Sequence, residues 1–197
     1  KSTLRRDPDF LMVGELRDPR SATAMVSGVQ SGHPILTTVH AQSAIEIVER
    51  LAGPGMKVPK ETLGSPNFIA ALCYQMLLPE LDPETKKRIT LDNMNEYLDK
   101  DIINRIMKVV PDIENSNICV RQPTKENPEG TSSMTICAEV MMPDEQMQEH
   151  FRKMEITEAH RYWRSQSKNA NQMGSRPSEP ILGVSAQDHA IQKMLEG

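Results

Sequence analysis

Residues 10–15 read Phe-Leu-Met-Val-Gly-Glu, and residues 34–40 read Pro-Ile-Leu-Thr-Thr-Val-His. Each stretch contains a short apolar run typical of a buried strand, and each leads to a polar residue, Glu15 in the first and His40 in the second. The segment between them, residues 18–31, has the length and apolar spacing of a helix. Strand, helix and strand form the unit of a parallel sheet, whose functional groups gather where the strands end. We therefore expect the Glu15 carboxylate and the His40 imidazole to face the same gap.

The composition narrows the classes of protein to which the chain can belong. It has 197 residues, enough for one or two domains, of which 38% are hydrophobic and 4% aromatic. The net charge of −4 argues against direct nucleic-acid binding by bulk electrostatics. No run of about 18 apolar residues occurs, so we expect no transmembrane helix. Cys73, Cys119 and Cys137 are well separated, which favours free thiols in a reducing cytoplasm.

Apolar periodicity and turn residues predict the other elements. The helix over 20–31 has Ser21 as its N-cap and ends at Gly32. Two strands, 117–122 and 134–142, are expected to pair as a hairpin across a polar turn. The remaining predictions are a buried strand over 33–40, helices over 43–52, from 65 to about 76, over 89–110, 144–166 and 186–196, and a polar linker over 167–180.

The sequences around the two polar strand ends, in this order and at this spacing, resemble those of the ATPases of type II secretion and type IV pilus systems. Residues 7–18, Asp-Pro-Asp-Phe-Leu-Met-Val-Gly-Glu-Leu-Arg-Asp, match the family's Walker B region. Residues 31–40, Ser-Gly-His-Pro-Ile-Leu-Thr-Thr-Val-His, match its histidine box. The similarity extends over residues 3–80 and thins beyond, with a weaker echo in Thr-Ile-Cys-Ala-Glu-Val-Met at 135–141.

The resemblance implies a fold and a division of the chain. The fold would be α/β, the C-terminal half of a RecA-like P-loop NTPase core followed by a mostly helical region with a small β-hairpin. Residues 1–80 would form the partial ATPase core, 81–166 a helical and hairpin subdomain, and 167–197 a polar linker and terminal helix.

A P-loop, Gly-x-x-x-x-Gly-Lys-Ser/Thr, is missing from residues 1–197. The opening Lys1-Ser2-Thr3 is not its tail, because the family places many tens of residues between its P-loop and the Asp-Pro-Asp that here includes Pro8. We therefore expect the P-loop upstream of residue 1 in the parent protein. ATP and Mg²⁺ would be bound mainly there, and residues 1–197 alone would be inactive.

The resemblance also assigns roles to individual residues. Glu15 would activate the attacking water and His40 would sense the γ-phosphate. Arg17, Arg20, His33 and Thr38 would contact the nucleotide or a neighbouring subunit.

Structural roles compete with these assignments. Glu15 could be an ordinary surface carboxylate and His40 a satisfied core histidine. For Arg17 and Arg20 an ion pair with Glu15 or Asp18 is favoured.

Zinc is not expected, although many members of the family hold it with four cysteines. No Cys-x-x-Cys occurs in the sequence, and Asp82 and Thr85 stand where the first cysteine pair would be. Elsewhere, Trp163 is predicted to be a packing anchor rather than a partner contact. His150, His160 and His189 are predicted to be solvent-exposed on helices.

The parent protein implied by the resemblance is a cytoplasmic ATPase at the inner-membrane face. It would form a homo-hexamer that powers type IV pilus assembly or type II-like secretion. It would act on an inner-membrane platform protein and associate peripherally with the membrane through such partners. Three alternatives stay open: a non-catalytic assembly or regulatory fragment of such a ring, a DNA- or effector-transfer motor, and a pilus-retraction motor.

Overall fold

A computed structural model describes residues 8–110, 112–167 and 183–197, in which short strands and helices alternate. The elements are β1 (Leu11–Val13), α1 (Pro19–Gln30), β2 (Ile35–Thr37), α2 (Glu46–Ala52), α3 (Lys60–Leu63), β3 (Leu72–Leu81), β4 (Lys87–Arg88), α4 (Met94–Tyr97), α5 (Lys100–Val109), β5 (Cys119–Val120), β6 (Thr131–Met141), α6 (Glu145–Lys153), α7 (Ile156–Ser165) and α8 (Ala186–Glu196). The α/β class predicted from the sequence is confirmed.

The chain divides into two compact units. The first comprises Lys1–Tyr74 with Glu139–Gln166, and the second comprises Gln75–Ala138 with Ser167–Gly197. This division groups residues 139–166 with the N-terminal part, whereas the sequence placed them in a subdomain over 81–166. The three domains proposed from the sequence stay predictions.

The two strands that flank α1 pair in parallel, as predicted. Leu11 lies opposite Ile35, and Val13 lies opposite Thr37. Both strands are shorter than predicted, and one face of the pair stays open: Met12 is 71% exposed. The expectation of fully buried strands was therefore wrong, because within the described residues the core covers one face of this pair.

The start of α1 is fixed by its first residues. The Asp18 carboxylate accepts hydrogen bonds from the backbone N–H groups of Arg20 and Ser21, both at 2.8 Å, and Pro19 occupies the first helical position. Asp18 is thus the N-cap. The prediction of Ser21 was wrong, because the cap lies three residues earlier in the sequence. Ser21 instead completes a capping box with Asp18. The helix ends before Gly32, whose φ is +88°, as predicted.

The core of the first unit gathers around two aromatic side chains. Phe151 in α6 and Trp163 in α7 are both fully buried. The Trp163 indole Nε1–H donates to the backbone oxygen of Val140 at 3.1 Å, so the indole packs without losing its hydrogen bond. The prediction of Trp163 as a packing anchor is confirmed.

The single helix predicted over 144–166 is two helices. Met154 adopts the left-handed conformation, with φ +56°, and separates α6 from α7. The reversal lets Phe151 and Trp163 reach the same core. Residues 153–156 contain no glycine or proline, so the sequence offers no signal for the break. His150 is half-buried rather than exposed, because its ring contacts the Glu155 carboxylate at 2.9 Å.

The helix predicted from residue 65 was also wrong, because β3 occupies residues 72–81. β3 pairs with β6, and β5 pairs with β4 in an antiparallel register that sets Arg88 opposite Cys119. The predicted hairpin of 117–122 with 134–142 is therefore wrong in its partners. Both predictions failed because these strands pair with segments that are distant in the sequence. The local spacing of apolar residues does not indicate such pairing.

The second unit has its own small core. Ile89, Ile113 and Ile118 are each 1% exposed. Residues 89–110 form two helices instead of one, because Leu98 and Asp99 are extended between α4 and α5.

The predicted helix over 186–196 is confirmed as α8, which begins with a capping box between Ser185 and Asp188. His189 Nδ1 accepts a hydrogen bond from the Ala138 backbone N–H at 3.1 Å, so the prediction of a solvent-exposed His189 was wrong. His160 is exposed as predicted. The linker predicted over 167–180 lies outside the described residues apart from Ser167. Within the described part of the chain, no helix combines the length and apolar character needed to cross a membrane.

Gly64 permits a close approach between two parts of the first unit. A Cβ at this buried position would lie 2.5 Å from the Gln148 backbone oxygen and 2.8 Å from the Arg152 backbone nitrogen. Both atoms belong to helical backbone, which cannot move aside as a side chain can. We expect Gly64→Ala to lower the free energy of unfolding by about 1–3 kcal/mol, measured by chemical denaturation.

Gly55→Ala is the matched control, because a Cβ there meets nothing within 4 Å. Equal stability of the two variants would show that the approach of α6 to Gly64 is not close.

Candidate functional site

The two strand ends bring Glu15 and His40 into contact. His40 Nε2 lies 3.0 Å from Glu15 Oε1, within the distance of an ion pair between a protonated imidazole and a carboxylate. The Glu15 side chain keeps 21% of its exposure and the His40 side chain 84%. The two side chains thus meet at one edge of the strand pair, as the sequence led us to expect, and their catalytic roles stay predictions.

Backbone and side-chain bonds hold these strand ends together. The Leu16 N–H donates to the Thr38 backbone oxygen at 2.9 Å. The Thr38 hydroxyl donates to the Gly14 backbone oxygen at 2.6 Å. Thr38 therefore joins the residue before Glu15 to the segment before His40, and its predicted contact with a nucleotide remains a prediction.

Arg17 is the strongest electrostatic partner of Glu15. Its Nε donates to Glu15 Oε2 at 2.7 Å, and its Nη2 lies 2.5 Å from the same oxygen. The Arg17 hydrogen bond lowers the pKa of the Glu15 carboxyl group below its ordinary value; partial burial opposes this, and the charges of Arg17, His40 and Arg50 reinforce it. The alternative of an Arg17–Glu15 ion pair is thus the arrangement observed.

The structure places Arg20 and His33 apart from these contacts. Arg20 is exposed in the first turn of α1, where its charge acts on the Asp18 carboxylate. His33 precedes β2, at the opposite end of the strand from His40, and its Nδ1 lies 3.1 Å from the Ser31 hydroxyl oxygen. Their predicted contacts with a nucleotide or a neighbouring subunit have no support in this geometry and stay predictions.

Sequence reasoning missed two residues around the site. Arg50 in α2 adds positive charge to the surroundings of Glu15. The Glu139 carboxyl oxygen Oε2 accepts a hydrogen bond at 2.8 Å from the backbone N–H of Ala44, just after the segment that presents His40. Arg50 is an exposed residue of α2, and the sequence gives no signal that it lies near Glu15. Glu139 is 95 residues from Ala44, and only the resemblance at 135–141 hinted at it.

The donor set around Glu15 is not a metal cage by itself. Mg²⁺ requires several oxygen ligands in near-octahedral geometry, whereas each oxygen of Glu15 already faces a nitrogen of Arg17 or His40. Among the described residues, no group of three or more His, Cys, Asp or Glu could hold an ion. Cys73 is exposed, Cys119 half-buried and Cys137 buried, and each is a free thiol.

Comparison with known proteins places this site in a family. A family model described as "Type II/IV secretion system protein" matches residues 1–181. The type IV pilus assembly ATPase PilB of Pseudomonas aeruginosa is 40% identical over 88 residues, which cover 44% of this chain and 15% of that protein. The putative type II secretion system protein E of Escherichia coli is 34% identical over 87 residues, covering 44% and 17%.

A further relative, the type II secretion system protein E of Pseudomonas aeruginosa, is 42% identical over 57 residues, covering 29% of this chain and 11% of that protein. The matched part thus spans less than a fifth of each of these relatives. The family model, in contrast, covers most of the 197 residues, including both strand ends. The chain belongs to the type II/IV secretion system protein family.

Proposed function

We propose that the protein containing this sequence hydrolyses ATP to power type IV pilus assembly or type II-like secretion, and that Glu15 and His40 lie at its hydrolysis centre. The observation that supports this most directly is the 3.0 Å contact between the two side chains. Relatives of the chain are named as a pilus assembly ATPase and as type II secretion system proteins.

Glu15 is suited to orienting a water molecule. Its lowered pKa keeps the carboxylate ionised at neutral pH. A carboxylate offers about four acceptor positions, and the Arg17 donor together with the nearby His40 nitrogen leaves some of these for water. The remaining 21% exposure gives water access. Because catalysis of phosphoryl transfer consists mainly of positioning and charge stabilisation, a fixed carboxylate of this kind suits the reaction.

His40 is suited to contact the phosphate. Its Nε2 lies beside the Glu15 carboxylate, while 84% of the side chain stays exposed. A phosphate oxygen could therefore approach the ring from the solvent side. Protonation of one ring nitrogen changes the donor or acceptor role of the other, so the imidazole can respond to the charge beside it.

ATP and Mg²⁺ would be bound mainly by a P-loop that residues 1–197 do not contain. Bound Mg²⁺ would neutralise phosphate charge. The described residues would supply the carboxylate that orients water and the imidazole that contacts the phosphate. We further propose a homo-hexameric ring at the cytoplasmic face of the inner membrane that acts on a platform protein there.

The test is phosphate release by the protein expressed from the full reading frame that encodes these residues. Glu15→Gln keeps the shape of the side chain and one acceptor oxygen but removes the charge. We expect it to lower kcat at least about 100-fold, with ATP binding retained.

Glu61→Gln is the matched control, because Glu61 is an exposed carboxylate in the same unit outside the site. Undiminished turnover by Glu15→Gln would refute the catalytic assignment. No hydrolysis by the unaltered full-length protein would favour a non-catalytic assembly role instead.

The Arg17 contact generates a separate prediction about acidity. Removing the guanidinium in Arg17→Leu should raise the pKa of Glu15 toward its ordinary value, because the lowering by hydrogen bond and charge is lost. In the unaltered chain the stabilisation from this contact is present above the unfolded pKa of about 4.3 and is lost as the pH falls through the lower folded value. Carbon-13 NMR of the Glu15 carboxyl group against pH measures the shift.

Arg20→Leu should leave the Glu15 titration unchanged, because Arg20 acts on Asp18. Coincident Glu15 titration curves for Arg17→Leu and the unaltered chain would contradict the observed pairing.

A further inference from the structure

A buried carboxyl group lies beside the segment that presents His40. Glu139, near the end of β6, is 8% exposed. Its Oε2 accepts a hydrogen bond from the Ala44 backbone N–H at 2.8 Å. Burying a carboxyl group is costly unless it is bonded, so its placement against this N–H requires an explanation.

The segment with His40 is held on both sides. Before His40, Thr38 is bonded to Gly14 and Leu16 through its hydroxyl and its backbone oxygen. After His40, Ala44 is fully buried and bonded to Glu139. Five residues, 39–43, thus span two fixed points, and His40 reaches Glu15 from between them.

The end of β6 is itself rigidly placed. Met141 is fully buried, and the backbone oxygen of Val140 accepts the indole N–H of Trp163 at 3.1 Å. Glu139 is therefore a fixed point of the first unit's core rather than a side chain free to follow the segment. All of these contacts lie within that unit.

We propose that Glu139 is a positioning residue for hydrolysis: by holding the Ala44 N–H it fixes the segment that keeps the His40 imidazole against Glu15. The expected loss of kcat rests on the proposed function. The expected loosening of residues 39–43 rests on the geometry alone. Glu139 touches neither nucleotide nor water in this role and acts through His40.

The experiment compares two variants of the full-length protein. Glu139→Met keeps the approximate volume but has no acceptor oxygen, whereas Glu139→Gln keeps one. We expect Glu139→Met to lower kcat about tenfold to a hundredfold with an unchanged KM for ATP, since small displacements of reacting groups have effects of this size. Glu139→Gln should keep kcat within about twofold. If Glu139→Met does not fold, Glu139→Asp replaces it, because shortening the side chain withdraws the acceptor with the same expected loss.

A double-mutant cycle separates positioning from general destabilisation. In a His40→Ala background, Glu139→Met should lower kcat no further. Gly64→Ala is the control, because it should reduce stability at the contact with α6, which does not hold the His40 segment, and should leave kcat unchanged. An equal loss from Glu139→Met with and without His40, or the same loss in Gly64→Ala, would overturn the proposal.

A measurement on the 197-residue chain keeps this inference distinct from the proposed function. Backbone order parameters of residues 39–43 should fall from about 0.85 to below about 0.6 in Glu139→Met and stay high in Glu139→Gln. If Glu15→Gln leaves turnover intact, the proposed function fails whatever Glu139 does. If Glu15→Gln abolishes turnover and Glu139→Met changes neither kcat nor these order parameters, the inference about Glu139 fails alone.

Discussion

The parallel pairing of β1 with β2 is the constraint on which the site depends. Its register sets Val13 beside Thr37, so that Glu15 follows one strand and His40 follows the other at the same edge. A slip of one residue would turn each side chain to the opposite face of the sheet. The Thr38 hydroxyl, bonded to Gly14, holds this register at the point where the strands end. The 3.0 Å contact between carboxylate and imidazole is a consequence of that pairing.

The charges around Glu15 give the contact its chemical character. Arg17 takes one carboxylate oxygen and His40 the other, so the group is ionised and fixed in orientation. An exposed ion pair contributes little to stability. The arrangement is better explained as preorganisation, in which groups stand in their working positions before substrate binds. His40 remains largely open to solvent, which leaves one side of the site available to a ligand.

Local sequence was enough to predict the part of the fold that presents the site. The apolar runs before Glu15 and His40, with a helical pattern between them, are contiguous signals, and α1 forms between two parallel strands as expected, although both strands are shorter than predicted. The same reasoning failed where distant segments pair, as in β3 with β6. It also failed at Met154, which adopts the left-handed conformation although it is not a glycine, so the sequence does not mark the end of the helix there. Glu139 was missed for the first of these reasons: its partner, Ala44, is 95 residues away.

The most direct measurement of the central claim is a structure of the full-length protein with Mg²⁺, ADP and aluminium fluoride, which together mimic the transition state of hydrolysis. We predict that the in-line water lies within about 3 Å of the Glu15 carboxylate and that the His40 ring is directed at the fluoroaluminate. An analogue bound well away from both side chains, with the Glu15–His40 contact unchanged and only solvent beside it, would contradict the assignment of these residues to hydrolysis.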